Sequence, residues 1–329
     1  MASQVSPGVV IRERDLSTGV LVGVSGLRAG FASSFRSGPV GKITNIGSER
    51  ELINTFGAPA EANAADWLVA GEFLRYGGQL AVVRAATGVL NATLDGTAVL
   101  VGSKSDYDAG AGASEKFIAR TAGADGNNLY VVVVDKGPDF TIVKTSHGLS
   151  VGGTYTDDNA VGHEVVEVVD ANTVRIIQGT AAPTPASGDT STAFSNSMWN
   201  ATAIGSTGLT YKEIGPRPGT SAFASERYVS YDEMHVAIVD TSTNTVVERM
   251  TYLSKISDAK SPEGSSIYWK DYVNEFSGYV YASALTSAEF TTLGSDPGAA
   301  VASYGATSAA PISIARILKT AGGALSGGT

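Results

Sequence analysis

Cysteine is absent from this sequence of 329 residues, and histidine is scarce. Without cysteine, neither a disulfide framework nor a thiolate metal site can form. The three histidines, His147, His163 and His235, are scattered along the chain, which leaves few groups for acid–base or nucleophilic catalysis. We therefore expect a protein that is not an enzyme and that holds neither a cofactor nor a metal.

Positive charge is also in short supply. The chain carries 23 Lys and Arg residues against 32 Asp and Glu residues, a formal net charge of −9, and the basic residues form no cluster. We expect no nucleic-acid partner, because phosphate backbones are bound by clustered Lys and Arg. No apolar run approaches the ~20 residues that a membrane span requires, so membrane insertion is not expected either.

Three short patterns are similar to ligand sites but fail on spacing. Gly38 and Gly41 stand too close together for a phosphate-binding loop, and Ile43 occupies the place of its hydroxyl residue. The run His163–Glu167 carries Glu where a zinc motif has its second His, in a stretch that predicts a strand. The acidic group at 157–159 lacks the spacing of an EF-hand, so a solvated turn is expected there.

Glycine and apolar residues are abundant, and their pattern predicts an α/β block over residues 24–88. Ser48 and Glu51 form a capping box that starts one helix, and the apolar spacing predicts a second helix over 64–76. The run at 80–85 is apolar on both faces, which predicts a strand in a sheet that is covered on both sides.

The residues after this block indicate a β-rich middle region with an insertion. Strands are predicted at 116–120 and 129–134, and a hairpin at 234–253. Residues 139–195 differ from their neighbours in residue pattern. They contain short β runs separated by turns of Gly, Asn and Asp, and they end in a linker-like stretch at 179–195. We interpret residues 139–195 as an inserted, protruding all-β module.

The N-terminal residues form a separate feature. After a Pro-Gly turn comes an extended run that is too poor in apolar side chains to anchor itself by burial: Val9, Val10, Ile11, Arg12, Glu13, Arg14 and Asp15. Two interpretations stay open. The run is either an edge strand or frayed terminus of its own subunit, or an inter-subunit arm that adds a strand to a neighbour's sheet.

Six motifs, taken in order, resemble the tail sheath family of contractile phages, most closely its T-even-like branch. They are Ser6–Val9, Gly38–Pro39, Leu52–Gly57 followed by Pro59, Phe73–Gly78 leading into Val82–Arg84, the glycine turn in Ala119–Asn127, and Ile267–Phe276 with Tyr279–Ala282. Ala122 departs from the family, in which proline is common at that place. The resemblance covers residues 1–137 and about 205–329, and it leaves 139–195 outside.

The resemblance implies a structural subunit of a contractile tail sheath. Sheath subunits form a six-fold helical lattice around the tail tube, connected by arms exchanged between neighbours, and contraction drives the tube through the host envelope for genome ejection. The implied partners are other sheath subunits, the tail tube protein, the baseplate and the tail terminator. The implied location is the tail of the virion, after assembly in the host cytoplasm. Energy stored in the extended lattice makes a nucleotide unnecessary.

The residue patterns and the resemblance together predict a mixed α+β and α/β fold with several domains. The predicted divisions are an N-terminal arm at 1–23, the first part of an α/β core domain at 24–88, a β-rich middle domain at 89–138 and 196–294, the inserted module at 139–195, and a linker at 295–329. This linker is expected to lead, beyond Thr329, into the second half of the core domain and a β-rich C-terminal region.

Two other functions stay open. The sheath of a related machine, a contractile bacteriocin or a type VI-like secretion system, would share these motifs. Alternatively, the chain is a virion surface-binding module in which residues 139–195 recognise a host glycan. Deletion of 139–195 distinguishes this last case, because an outward-facing module is dispensable for sheath assembly whereas a receptor-binding module is needed for adsorption.

The N-terminal run generates a first testable prediction. If Val9–Asp15 adds a strand to a neighbouring subunit, its affinity comes mainly from ladder hydrogen bonds, each worth a net ~0.5–1.5 kcal/mol. Removal of residues 1–15 then spares thermal melting of the monomer but abolishes a continuous, contractile sheath in electron micrographs. Val10→Pro acts likewise because Pro removes a ladder donor, whereas the control Val9→Ile is silent. Normal sheaths from the truncated protein would show that the run is only a terminus.

Overall fold

A computed structural model describes residues 27–97, 99–283, 298–305, 307–309, 311–314, 316 and 322–329. Over these residues the protein is β-rich and mixed α/β, which confirms that part of the predicted fold class. The chain divides into two compact units: a first unit of Met1–Arg36 and Gly41–Ala85, and a second unit of Ser37–Val40 and Ala86–Thr329. The predicted arm residues, Val9–Asp15, lie outside the described part of the chain. Within that part, no helix combines the length and apolar character that crossing a membrane requires.

The first unit packs two helices against one face of a small sheet. Its elements are β1 (Arg28–Ser33), β2 (Ile43–Ile46), α1 (Glu49–Phe56), a 3-10 turn (Glu61–Asn63), α2 (Ala64–Arg75) and β3 (Gln79–Arg84). Strand β3 lies between the other two, parallel to β1 and antiparallel to β2. The predicted helix at 64–76 and the predicted strand at 80–85 are therefore confirmed.

The start of α1 is set by its capping residues. The Ser48 hydroxyl accepts a hydrogen bond from the Glu51 backbone N–H at 3.2 Å, as the predicted capping box requires. The Glu51 carboxylate reaches back to the N–H of Gly47 at 2.8 Å, one residue before the expected partner. Gly57, at a φ of 83°, then turns the chain out of the helix.

Only one face of this sheet is covered in the described structure. Leu80 and Val82 of β3 are buried with Leu52, Phe56 and Trp67 of the two helices. On the opposite face Ala81 and Val83 are half-buried, and Ile43, which pairs with Val83, is 74% exposed. The expectation of a sheet covered on both sides is wrong for these residues, because both helices pack on the same face.

The second unit contains the remaining elements. Its strands, in chain order, are β4 (Phe117–Ala119), β5 (Leu129–Asp135), β6 (Phe140–Val143), β7 (Thr154–Thr156), β8 (Gly162–Asp170), β9 (Thr173–Ile177), β10 (Thr190–Ala193), β11 (Val229–Ser230), β12 (Glu233–Asp240), β13 (Thr245–Ser254), β14 (Val280–Ala282), β15 (Ile312–Ser313) and β16 (Gly323–Ala324). Its α-helices are α3 (Lys104–Asp108), α4 (Asn196–Ala201), α5 (Ala222–Ser225), α6 (Trp269–Phe276) and α7 (Val301–Tyr304). Short 3-10 turns occur at Ala124–Asn128 and Tyr211–Glu213.

A sheet of order β13-β12-β5-β16 forms the centre of the second unit. One face of β5 and β12 packs against α6 and the β4–β14 pair, where Trp269 and Phe117 are buried. The other face packs against Trp199 and Tyr211. Both faces of β5 and β12 are buried, so nearly all of their residues are apolar. These two strands correspond to the strand predicted at 129–134 and to the first strand of the hairpin predicted at 234–253.

Residues 140–193 form a sheet of their own, of order β10-β6-β9-β8-β7. Its buried residues include Ile142, Tyr155 and Ile176. The end at 179–195, predicted to be linker-like, contains β10, which pairs with β6. Strand β10 is polar and largely exposed, so its residues carry no apolar alternation that would have marked a strand.

The described residues of 295–329 are packed into the second unit, where the sequence predicts a linker. Strand β15 pairs with β11, β16 pairs with β5, and Leu325 is buried. The small residues of this linker-like segment let its backbone lie close to β5. A Cβ on Gly322 would lie only 2.2 Å from the Val131 carbonyl oxygen. The Thr329 N–H donates to the Leu90 carbonyl at 3.3 Å, so the segment ends beside the first residues of Ala86–Thr329.

A buried ion pair joins the end of β5 to the residue after β13. Lys255 Nζ lies 2.6 Å from Asp135 Oδ2, and both side chains are almost wholly removed from solvent. The ammonium also donates to the Tyr231 carbonyl at 3.1 Å, and Asp135 Oδ1 accepts from the Gly137 N–H at 2.8 Å. The pair therefore positions the chain where it leaves the central sheet.

Removal of Lys255 is expected to be strongly destabilising. Lys255→Met takes the cation away from a buried carboxylate, and breaking a buried pair typically costs ~3–5 kcal/mol. The control is Lys104→Met, whose pair with Asp108 is half-exposed and worth about 0.3–0.5 kcal/mol. Urea unfolding of the two variants measures the difference, and equally small losses would show that the buried pair is unimportant.

Candidate functional sites and surfaces

The phosphate-loop-like residues form an ordinary turn. Gly38 and Gly41 both have positive φ angles, 96° and 64°. The Gly41 N–H, which a phosphate loop would direct toward its ligand, donates instead to the Arg84 carbonyl at 3.0 Å. The segment therefore offers no cradle of free amides, in agreement with its spacing.

All three histidines serve as structural hydrogen-bonding groups. His235 is fully buried in β12; its Nδ1 accepts from the Tyr252 N–H at 3.0 Å, and its Nε2 donates to the Pro216 carbonyl at 2.7 Å. Burial lowers the pKa of His235, so the ring stays neutral. His147 and His163 likewise bond through both nitrogens, His147 to backbone groups and His163 to a backbone N–H and the Asp157 carboxylate.

In the acidic turn at 157–159, Asp158 and Asn159 are exposed, as expected of a solvated turn, whereas Asp157 points inward. Asp157 is buried and accepts from the backbone N–H groups of Asn159, Val161 and Thr184, at 2.8–3.0 Å. These bonds occupy the oxygens that a calcium ion would need. Over the described residues no group of three or more candidate side chains is arranged to hold a metal.

The expectation that the sequence lacks a G-x-S-x-G pattern is wrong, because Gly148–Gly152 has this spacing of a hydrolase nucleophile. A nucleophile elbow lies on a sharp turn between a strand and a helix. Here Ser150 is exposed in a β-turn, in which its carbonyl accepts from Gly153 N–H at 2.9 Å, and the chain continues into β7. The spacing is present without the structural context that gives it chemistry.

A cluster of charged side chains and backbone carbonyls joins the two ends of residues 139–195, and we call it the neck. It consists of Lys136–Asp139, Phe194, Arg217 and Arg316. The Arg217 guanidinium donates to the Lys136 carbonyl at 2.5 Å, to the Phe194 carbonyl at 3.0 Å, and to the Pro138 carbonyl. One side chain thus ties both ends of the inserted sheet to the loop before α5.

Asp139 is the acidic centre of the neck. Its carboxylate pairs with Arg316 and with Lys136 Nζ at 3.1 Å, and accepts from the Gln178 N–H at 3.0 Å. Burial alone would raise the pKa of Asp139, but the Arg316 charge and its hydrogen bond outweigh burial and hold the pKa below its ordinary value. No sequence motif predicts this cluster, because its members are spread over residues 136–316.

Apolar side chains on the outer surface of the first unit form a different kind of feature. Helix α2 buries Trp67 and Leu74, yet Leu68, Val69 and Tyr76 are each more than half exposed. A helix that is apolar on two faces is normally covered on both. Together with Ile43 on the open sheet face, these residues mark the first unit as a surface suited to further packing.

No protein-family model matches the chain. The tail sheath protein of Salmonella phage ViI is 26% identical over 333 aligned residues, which cover 88% of this chain and 51% of that protein. The tail sheath proteins of Vibrio phage KVP40 and Enterobacteria phage T4 are each 38% identical, over 27% and 24% of this chain and 13% and 12% of their own lengths. The chain therefore spans about half the length of the first of these relatives and less of the other two.

A solved structure, the sheath tail protein of Desulfitobacterium hafniense, matches at 16% identity over 54% of this chain and 40% of that chain, with a TM-score of 0.23. The similarity in sequence confirms the predicted resemblance, since the relatives found are phage tail sheath proteins.

The neck predicts a pH-dependent contribution to stability. The folded-state pKa of Asp139 lies below the ordinary value of 3.8, so its ionised form stabilises the fold above that pH, and the contribution is lost as the pH falls through the lowered value. Asp139→Asn is expected to lose about 1.5–3 kcal/mol at neutral pH, as for hydrogen bonds to charged groups. The loss shrinks below a pH of about 4.

Urea unfolding between pH 3 and 7 measures this dependence. The matched control is Asp108→Asn, because that carboxylate is half-exposed beside Lys104 and a surface pair contributes at most about 1 kcal/mol. A loss for Asp139→Asn that is independent of pH would show that Arg316 and Lys136 do not stabilise the ionised carboxylate.

Proposed function

We propose that this chain is a structural subunit of a contractile phage tail sheath. The observation that carries the proposal is the similarity to the tail sheath protein of Salmonella phage ViI along 88% of the chain. In this role the subunits polymerise around the tail tube, and contraction of the lattice drives the tube through the host envelope for genome ejection. The protein acts by shape and packing, without catalysis or a cofactor.

The internal architecture supports such a role. We propose that the first unit is one part of an α/β core domain and that the second unit is inserted into it. The supporting observations are the open apolar face around Ile43 and Val83, and the contact between Thr329 and Leu90, which brings the end of the second unit back to its beginning. Adjacent ends are typical of an inserted domain. Further chain, as in the longer relatives, would complete the sheet of the first unit.

The segment 139–195 has a separate proposed place, on the outside of the tube. It forms its own sheet, and it is joined to the rest of the second unit through the neck at Lys136–Asp139 and Phe194. A module whose two ends are attached side by side can vary in sequence without altering the sheet to which it is attached. In this arrangement lattice contacts are made by other parts of the subunit.

Contacts between subunits and with other tail proteins complete the proposal. Residues Val9–Asp15 act as an arm that adds a strand to a neighbouring subunit in a six-fold helical lattice. The remaining partners are the tail tube protein, the baseplate and the tail terminator, without nucleic acid or membrane insertion. The assembled protein resides in the virion tail, after assembly in the host cytoplasm.

Two other functions are distinguished by where the protein lies on the particle. A bacteriocin or a type VI-like secretion sheath would surround a tube that carries no capsid. A surface-binding module would be confined to the outer end of a tail or to a fibre. The exposed apolar surface of the first unit favours a lattice subunit, because a terminal binding module would leave that surface in water.

Gold labelling with antibodies raised against residues 27–283 tests the proposal. We expect label along the whole shaft of capsid-bearing tails, over a long array in the extended state and a shorter, wider one after contraction. Pre-absorption of the antibody with purified protein is the control. Label restricted to the tail tip, or found only on particles without capsids, would contradict a phage sheath.

A further inference from the structure

A cleft opens between the inserted sheet and the central sheet of the second unit. It has a volume of about 440 Å³, within the range of small-molecule sites. Its floor is formed by Tyr130 and Val132 of β5, one wall by Glu167 and Arg175 of β8 and β9, and the other by Ala201–Gly205 and Tyr211. Glu167, the last residue of the run His163–Glu167, is one of the lining residues.

Two tyrosines line this cleft, and neither hydroxyl bonds to a residue in the described part of the chain. Tyr211 is only 4% exposed, and within the described structure its hydroxyl makes no hydrogen bond. The Tyr130 hydroxyl lies against Gly205, where a Cβ would come within 2.2 Å of it, and it likewise bonds to no described residue. Burial raises the pKa of both phenols, so each remains an O–H donor across the physiological range.

A paired carboxylate and guanidinium complete the polar lining. Arg175 Nη1 lies 2.7 Å from Glu167 Oε2, and both side chains are more than four-fifths removed from solvent. The guanidinium is held in place over the Phe194 ring, 4.9 Å from its centroid. Because the two charges neutralise each other, the pair offers hydrogen-bond donors and acceptors without attracting a strongly charged ligand.

We propose that this cleft binds a neutral, polyhydroxylated ligand, of the size of one or two sugar rings. Hydroxyl groups both donate and accept, so they match a lining of phenols, a carboxylate and a guanidinium. No described residue bonds to the Tyr211 hydroxyl, and it gains a partner when such a ligand enters. The site lies where the inserted module meets the rest of the second unit.

Binding of simple saccharides to the intact chain tests the assignment. The probes are glucose, galactose, mannose, N-acetylglucosamine and lactose, measured by saturation-transfer NMR and by calorimetry. We expect at least one of them to bind, and Tyr211→Phe to weaken it about fivefold, as for the loss of one net hydrogen bond. Tyr130→Phe and Glu167→Gln are expected to weaken binding in the same direction.

Tyr279→Phe is the matched control, because Tyr279 is a 40% exposed tyrosine that does not line the cleft, and it is expected to bind as the unchanged protein does. If Tyr211→Phe alters the circular dichroism spectrum, Tyr130→Phe carries the comparison. The absence of binding for every probe at tens of millimolar would overturn the proposal. So would unchanged affinity in the tyrosine variants, or tighter binding of glucose 6-phosphate than of glucose.

Discussion

The pairing of β5 with β12 is the constraint on which the second unit depends. Seven residues of β5 pair with seven of β12 in continuous register, and apolar cores lie on both faces of the two strands. The elements around them are short, and several are single turns that could not bury an apolar face alone. Trp269 on one side and Trp199 on the other reach the same two strands, so loss of this pairing would expose both cores.

Strand β5 is the point at which the inserted sheet and residues 322–329 attach to the central sheet. Asp135 at its C-terminal end is held by Lys255, and the chain then passes through the neck into the inserted sheet. Along its other edge β5 pairs with β16, which brings residues 322–329 into the unit. An inserted sheet, a returning chain end and a buried ion pair are thus all connected to one strand.

Groups that would carry chemistry in an enzyme are used here for structure. His235 fills a bulge between β12 and β13, Asp157 closes a turn, and Arg217 binds three carbonyl groups. Each loses its freedom to transfer a proton or to bind a ligand because its hydrogen-bonding capacity is already used. This distribution fits the proposed structural role, in which a subunit acts by its shape and packing. The cleft beside Tyr211 differs because its hydroxyls are not used in this way.

Much of the fold could be predicted from the sequence where local pattern and tertiary packing agree. The helix at 64–76, the strand at 80–85 and the hairpin at 234–253 follow from apolar periodicity and turn residues, which act over a few neighbouring positions. The strand β10 and the packed end at 322–329 were missed, because polar or small residues pair there only when a distant strand supplies the partner.

The sequence by itself determined the kind of protein: its β-rich mixed fold, its shortage of catalytic groups and its resemblance to tail sheath proteins. The tertiary structure alone decided which charged residues meet, because the neck joins Asp139, Arg217 and Arg316 across more than a hundred residues. It also decided that the first sheet has one open face, and that two tyrosines share a cleft. These features depend on the packing of distant segments, on which local periodicity carries no information.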